Sequence, residues 1–245
     1  MTLKDKTAIV TGGGKGIGAA IALKLAREGA AILVNYARDA AAAENVVQRI
    51  AEKGGQAVAL KADVSAASGI EKMFDAAETA FGPVDILVNN AGIMRLGAIS
   101  ETSDADLDAH VAVNLAGAFR GMRAGSRRLR DGGRIINISS SVIGMRMPGY
   151  GLYAATKAAV EAMGQVLAKE LGPRGITVNA VAPGPVATEL FFNGKSEEMI
   201  QAITRSIPLG RLGAPEDIAE TVAFIAGPGG GWINGQTIRA NGGMI

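Results

Sequence analysis

The chain has 245 residues, of which 48% are hydrophobic and 34 are glycine, enough for one large domain with a sizeable core and many tight turns. It contains no cysteine and a single histidine, His110, which excludes disulfides, a cysteine nucleophile and a multi-histidine metal cluster. The net charge of +2, with both signs interspersed, argues against nucleic-acid binding, and no apolar run approaches the roughly 18 residues of a membrane span.

The first predicted unit is a strand, a glycine-rich turn and a helix. Residues 7–10 form a buried strand, residues 11–18 carry glycines at the spacing G-x-x-x-G-x-G, and a helical pattern then continues to Gly29. In such a unit the glycines let the backbone approach a pyrophosphate, and the helix N-terminus offers free N–H groups. The pattern predicts a nucleotide site, although a glycine cluster is also typical of a flexible turn.

The end of the second predicted strand, residues 31–34, indicates which nucleotide is bound. An acidic residue about 20 positions after the glycines would hold a ribose 2′-hydroxyl. Here residues 35–38 read Asn-Tyr-Ala-Arg, without a carboxylate at the strand tip. Arg38, together with Lys15 in the glycine turn, can instead neutralise a 2′-phosphate. We therefore expect NADP(H) rather than NAD(H), the alternative being two solvated surface cations.

The middle of the chain continues the alternation, with a helix over 40–53, a strand over 56–60, a helix over 70–81 and a strand over 85–89. Asp63, just past the third strand, can reach an adenine amino group or cap the next helix. A long helical stretch to about residue 130 has Asn114 in its interior, where asparagine needs a reason. Either its side chain bonds a neighbouring loop, or it holds a water against the lysine of the site.

The segment from Ser140 to Lys157 carries the predicted proton chemistry. Ser140 follows the fifth strand, residues 134–139, at the sheet edge where ligands bind. Tyr153 and Lys157 are four apart on a helix to about residue 171, so the phenol and the ammonium can address one site. A nearby cation favours the phenolate of a tyrosine, whose pKa is otherwise near ~10. An isolated Y-x-x-x-K is, however, usually an ordinary pair of half-exposed helix residues.

The last third of the chain adds a strand over 177–181, a helix over 215–226 and a strand over 236–239. Thr188 can bond a nicotinamide carboxamide or cap the next segment. Residues 189–208 are apolar but poorly periodic, which indicates a mobile lid over an apolar ligand or a helix pair packed on the core. The alternation predicts one α/β domain over residues 1–245, a doubly wound parallel seven-stranded sheet of order 3-2-1-4-5-6-7 with helices on both faces.

Several motifs occur together in the order found in one family, and the set of motifs is more specific than any one of them. They are Thr11-Gly12-x-x-x-Gly16-x-Gly18, Asn89-Asn90-Ala91-Gly92, Asn114, Ser140, Tyr153-x-x-x-Lys157 and Pro183-Gly184. Over essentially the whole chain this resembles the short-chain dehydrogenase/reductase family. Residues 211–213, 215–218 and 241–244 are similar to bacterial 3-oxoacyl-acyl-carrier-protein reductases and related NADPH carbonyl reductases.

The resemblance implies a Rossmann-type NADP(H)-dependent oxidoreductase without a metal, whose catalytic residues are Asn114, Ser140, Tyr153 and Lys157. Ser140 would bond the substrate carbonyl, Tyr153 supply the proton, and Lys157 lower the Tyr153 pKa and bind the nicotinamide ribose. The implied cofactor contacts are Gly12, Lys15, Gly16, Ile17, Gly18, Tyr36, Arg38, Asp63, Val64, Asn90, Ala91, Gly92, Tyr153, Lys157, Pro183, Gly184, Val186 and Thr188.

Two substrate classes remain open. One is an acyl-carrier-protein thioester, since the family's docking positions fall at Arg130 and Arg174. The other is a free small ketone, sugar or polycyclic compound in a pocket expected to be lined by Met145, Met147, Leu152 and Phe191. A non-catalytic NADP-sensing regulator would require a broken catalytic set. By resemblance we expect a homotetramer, and a start without a secretory signal core points to the cytoplasm, with neither nucleic acid nor membrane as partner.

Overall fold

The computed structural model describes residues 2–245, and over this range the backbone forms a seven-stranded sheet. The strands are β1 (Thr7–Val10), β2 (Ala31–Tyr36), β3 (Ala57–Lys61), β4 (Ile86–Asn89), β5 (Arg134–Ile138), β6 (Thr177–Pro183) and β7 (Thr237–Ala240). All neighbours pair in parallel, in the order β3-β2-β1-β4-β5-β6-β7. The predicted fold class and strand order are confirmed.

Helices cover both faces of this sheet. They are α1 (Gly16–Arg27), α2 (Ala40–Ala51), α3 (Gly69–Phe81), α4 (Asp104–His110), α5 (Ala118–Arg128), α6 (Val142–Met145), α7 (Gly151–Leu171), α8 (Glu189–Phe192), α9 (Glu197–Ser206) and α10 (Pro215–Ala226). Among the described residues, no helix combines the length and the apolar character that crossing a membrane demands.

The core consists of two layers because successive strand residues point to opposite faces. On β1, Ala8 and Val10 pack in the layer that includes α1, α2 and α10, whereas Ile9 packs in the layer of α3, α5 and α7. Strand order reverses between β1 and β4, whose connections leave the sheet on opposite sides. Such a reversal opens a crevice at the carboxyl edge, where ligands bind in this architecture.

The helical stretch predicted as one element differs from the expectation. A π-helix (Val111–Gly117) joins α4 to α5, and α5 ends at Arg128 rather than near residue 130. A π turn is wider than an α turn and often marks a functional position. Asn114 lies within it, so the local irregularity falls on the residue whose helical position needed an explanation.

Candidate active site

A cavity of about 1030 Å³ opens at the carboxyl edge of the sheet. Most residues expected to bind the cofactor or to act on the substrate line it: Gly12, Lys15, Gly16, Ile17, Gly18, Asn90, Ala91, Gly92, Ser140, Tyr153, Lys157, Pro183, Gly184, Val186 and Thr188. The other expected residues lie outside its lining, namely Tyr36 at the end of β2, Arg38, Asp63 and Val64 past β3, and Asn114. The strands thus bring the predicted site residues to one edge of the sheet, but only some of these residues line the cavity.

The glycine turn is held tightly against the loop after β4. Gly12 and Gly16 have φ angles of +62° and +51°, a region that favours glycine. A Cβ on Gly18 would lie 2.2 Å from the Gly12 carbonyl oxygen, so no side chain fits there. The Asn90 amide donates to the carbonyl oxygens of Thr11 at 2.9 Å and Gly12 at 3.1 Å. These contacts keep the backbone exposed to the cavity in a fixed shape.

Lys15, just before α1, makes two ion pairs that the sequence did not indicate. Its Nζ lies 2.8 Å from Asp39 Oδ2 and 3.4 Å from Glu189 Oε2. The hydrogen bond to Asp39 is the main reason that the pKa of Lys15 is raised. Glu189 is the first residue of α8, so this lysine connects the glycine turn to the predicted lid.

The remaining residues of the expected adenosine end lie around Arg38. Arg38 is exposed directly before Asp39. The Asp63 carboxylate accepts from the Ser65 backbone N–H at 2.8 Å and from its hydroxyl at 2.7 Å. These bonds, and then the charge of Arg38, lower the pKa of Asp63. A guanidinium is therefore available near the tips of β2 and β3.

Burial raises the pKa of Tyr153 to about 12, so its phenol stays protonated well above neutral pH. A hydrogen bond with the Ser140 side chain acts in the opposite direction. We expected Lys157 to lower the Tyr153 pKa; in the protein alone burial is the dominant influence, and the effect of Lys157 stays a prediction for the working site. The Lys157 ammonium instead donates to the Ile138 carbonyl oxygen at 2.7 Å, and it lies 5.7 Å from the centre of the Tyr153 ring. Burial lowers the pKa of Lys157 to about 8.

Asn114 bonds the loop after β4, the first of the two roles considered for it. Its Oδ1 accepts from the Ile93 N–H at 2.8 Å, and its Nδ2 donates to the Ile93 carbonyl oxygen at 2.9 Å. A Cβ on Gly92 would lie 3.4 Å from Asn114 Oδ1 and 3.5 Å from Lys157 Nζ. A side chain at position 92 would therefore contact both the Asn114 amide and the Lys157 ammonium.

The far wall of the cavity is apolar. The expected Met145, Met147 and Phe191 line it, together with Leu190, Phe192 and Ile203 of the predicted lid segment. Met94 and Tyr150, which the sequence did not indicate, also line it. Leu152, expected there, is outside the lining. It precedes Tyr153 on α7, and adjacent helix residues are turned by about 100° from one another, so they face different sides.

Of the two arginines at the expected carrier-protein positions, Arg174 is hydrogen-bonded within the chain and Arg130 is largely exposed. Arg174 donates to Asp131 Oδ1 at 2.7 Å and to the carbonyl oxygens of Ser126 and Leu129 at 2.6 and 2.5 Å. Arg130 lies 3.8 Å from Asp85. Both arginines precede the amino ends of β5 and β6, so they lie at the sheet edge opposite the cavity.

Comparison with known proteins identifies the family. The model described as "Enoyl-(Acyl carrier protein) reductase" matches residues 12–245. The "NADPH-dependent aldehyde reductase-like protein, chloroplastic" of Arabidopsis thaliana is 47% identical, over 100% of this chain and 96% of that protein. The chain belongs to the short-chain dehydrogenase/reductase family, and is thus an oxidoreductase by family.

Two solved structures agree with this assignment. A short-chain dehydrogenase/reductase from Serratia marcescens superimposes with a TM-score of 0.95 at 41% identity, covering 100% of this chain and 99% of that one. A short-chain dehydrogenase from Burkholderia cenocepacia, solved in complex with NADP, gives a TM-score of 0.94 at 39% identity with the same coverage.

Proposed function

We propose that the protein is an NADPH-dependent reductase of small aldehydes or ketones, with Ser140, Tyr153 and Lys157 as its catalytic residues. The observation that carries the proposal is that one cavity is lined by a glycine turn, by a half-buried tyrosine beside a serine, and by apolar side chains. The similar Arabidopsis protein is named as NADPH-dependent, and the Burkholderia structure contains NADP.

The residues present fit NADP(H). The turn between β1 and α1 offers backbone N–H groups at a helix N-terminus, the arrangement that binds a pyrophosphate. Lys15 on that turn and the exposed Arg38 supply the cations that a 2′-phosphate needs. Bound NADPH would supply a hydride to the carbonyl carbon.

The side chains then account for the proton. Ser140 donates a hydrogen bond to the carbonyl oxygen, and Tyr153, which holds its proton because its pKa is about 12, transfers it as negative charge grows on that oxygen. Carbonyl, hydride and proton together give the alcohol. The Lys157 ammonium, still mostly charged at pH 7 with a pKa of about 8, stabilises the phenolate that remains. Asn114 acts by fixing the loop that carries Gly92.

For the substrate we favour a free carbonyl compound with an apolar body, which suits the wall of Met94, Met145 and Met147. The second candidate, a 3-oxoacyl-acyl-carrier-protein, is favoured by the description of the family model. Arg174 already makes three hydrogen bonds within the chain, which weakens a docking role. A panel of aldehydes, ketones and an acetoacetyl thioester with NADPH separates the two. Charge reversal at Arg130 should reduce activity selectively if a carrier protein docks there.

We further propose a single domain with residues 189–208 as a lid, assembled as a homotetramer in the cytoplasm. The exposed apolar side chains Phe119 on α5 and Val166 on α7 suit pairing between copies. Light scattering measures the assembly. Because the similar Arabidopsis protein carries a chloroplastic name, cell fractionation is needed to test the compartment.

The decisive test is Tyr153→Phe, which removes one hydroxyl and keeps the ring. Carbonyl reduction should fall by roughly 10³-fold or more, while NADPH binding, followed by its fluorescence, should stay within about threefold of wild type. Wild-type turnover in this variant would disprove the catalytic assignment. A wild-type protein that binds NADPH but reduces none of the carbonyls would favour the non-catalytic regulator.

A further inference from the structure

Helix α7 contacts three consecutive residues at the end of β5. Tyr153 approaches Ser140, and Lys157 donates to the Ile138 carbonyl oxygen at 2.7 Å. One turn further along α7, Glu161 Oε1 accepts a 2.5 Å hydrogen bond from the Ser139 hydroxyl. Side chains four apart on a helix lie along one face, so these contacts form a single row.

Glu161 is the member of this row to which the proposed mechanism gives no task. Ser139 is 2% exposed and directly precedes Ser140 in the chain. Its backbone N–H donates to the Val181 carbonyl oxygen at 2.7 Å, which continues the pairing of β5 with β6. Ser139 is therefore fixed to the sheet through its backbone and to α7 through its side chain. A carboxylate acceptor makes this second attachment a strong one.

We propose that Glu161 is a positioning residue, which fixes Ser139 to α7 and thereby holds the Ser140 hydroxyl at its distance from Tyr153. This inference rests on the proposed carbonyl reduction. Ser139 and Ser140 are adjacent in the chain, so one peptide unit links the residue that Glu161 holds to the residue that carries the catalytic hydroxyl. Without Glu161, Ser139 keeps its pairing to β6 and Ile138 keeps its bond to Lys157, but Ser139 loses its own attachment to the helix that carries Tyr153.

Glu161→Ala should lower kcat by roughly 10- to 100-fold, since a misplacement of about 1 Å can cost about 10²-fold. The KM for NADPH should stay within roughly twofold, because Glu161 does not line the cavity that contains the glycine turn. Glu161→Gln keeps an acceptor oxygen for the Ser139 hydroxyl and should recover kcat to within about threefold of wild type. The matched control is Glu170→Ala, an exposed glutamate on the same helix, which should leave kcat unchanged.

A double-mutant cycle with Ser139→Ala tests whether the two residues act through one contact. Ser139→Ala and Glu161→Ala should each reduce kcat by a similar factor, and the double variant should be no slower than the slower single variant. The inference would be overturned if the kcat losses of the two single variants multiplied in the double variant. It would also be overturned if Glu161→Ala left kcat unchanged, or if it reduced kcat and NADPH affinity equally.

The controls separate this inference from the proposed function. If wild-type protein reduces carbonyls and Tyr153→Phe does not, the reductase proposal stands and the Glu161 variants decide the positioning role alone. If the wild type reduces none of the carbonyls, both fall. NADPH fluorescence with each variant shows that it folds, and a Glu161→Ala protein that fails to bind NADPH would assign the residue to the fold instead.

Discussion

The Lys157 ammonium donates a 2.7 Å hydrogen bond to the carbonyl oxygen of Ile138, the last residue of β5. Lys157 is 5% exposed, and burial lowers its pKa to about 8 from an ordinary value of 10.5. The lysine is therefore attached to the same strand end as Ser140, and its charge is costly to keep in the folded protein. Its protonation and the stability of the fold are linked.

This linkage predicts a stability that rises with pH. Between about pH 8 and 10.5 the unfolded chain still binds the lysine proton that the folded protein has released, so raising the pH favours the folded state. Between pH 7.5 and 9.5 the unfolding free energy of wild type should rise by about 2 kcal/mol relative to Lys157→Met. Tyr153 does not interfere, because its pKa of about 12 lies above this window.

Urea unfolding of both proteins at the two pH values measures the effect, and subtracting the variant removes the contribution of all other groups. The loss of the Ile138 hydrogen bond lowers the stability of Lys157→Met at both pH values alike. A difference between the proteins that stays level, or that shrinks as the pH rises, would contradict the burial of a charged Lys157.

The Asp39 carboxylate competes with the proposed 2′-phosphate for Lys15. Asp39→Asn removes this charge but keeps the helix cap, since its side chain accepts from the Ala42 N–H and asparagine caps equally well. Exposed ion pairs contribute about 1 kcal/mol or less. We therefore expect the KM for NADPH to fall roughly two- to fivefold, while the KM for NADH stays unchanged.

Steady-state kinetics with both cofactors measure this selectivity. In a Lys15→Ala background the same Asp39→Asn change should leave the KM for NADPH nearly unchanged, because the cation through which it acts is absent. An equal improvement for NADH would show that Asp39 acts on the cofactor in general and not through the 2′-phosphate.

The sequence predicted the parts of this site that depend on strand ends. Parallel strands finish at one edge, so Gly12, Asn90, Ser140 and Pro183 converge once the alternation of strands and helices is recognised. Contacts that depend on side-chain direction were not predictable in this way. Leu152 was assigned to the wrong side of α7.

The Lys15 ion pairs and the Ser139–Glu161 bond each join residues far apart in the chain. Glu189 is 174 positions from Lys15, and no local pattern marks such a pair. The raised Tyr153 pKa was not predictable for a related reason, because burial, which the tertiary structure sets, is its largest cause and helical spacing does not indicate it.

Asn114 should stabilise the fold as well as the site. Its side chain satisfies both the N–H and the carbonyl oxygen of the half-buried Ile93, and leaving such groups unpaired costs about 1 kcal/mol each, the lower end of the range for buried groups. Asn114→Ala should therefore lower stability by about 2 kcal/mol and Tm by roughly 4–8 °C for a protein of this size. Calorimetry measures the shift, with the exposed Asn45→Ala on α2 as the control. Equal melting of the two variants would show that Asn114 contributes nothing to holding the loop.

The proposed lid should open more readily than the rest of the fold. All ten residues of α9 keep part of their surface exposed, whereas α10 buries residues such as Ile218, Val222 and Ile225. Few buried contacts mean a small free energy of local opening, so the amides of α9 should exchange with solvent deuterium well before those of α10.

If this segment closes over ligands, NADPH with the product alcohol should slow exchange in α9 by about tenfold or more and leave α10 unchanged. Hydrogen exchange followed by mass spectrometry resolves the two peptides in one sample. Protection of α9 equal to that of α10 without ligands would instead establish a helix pair packed on the core, the alternative that the sequence left open.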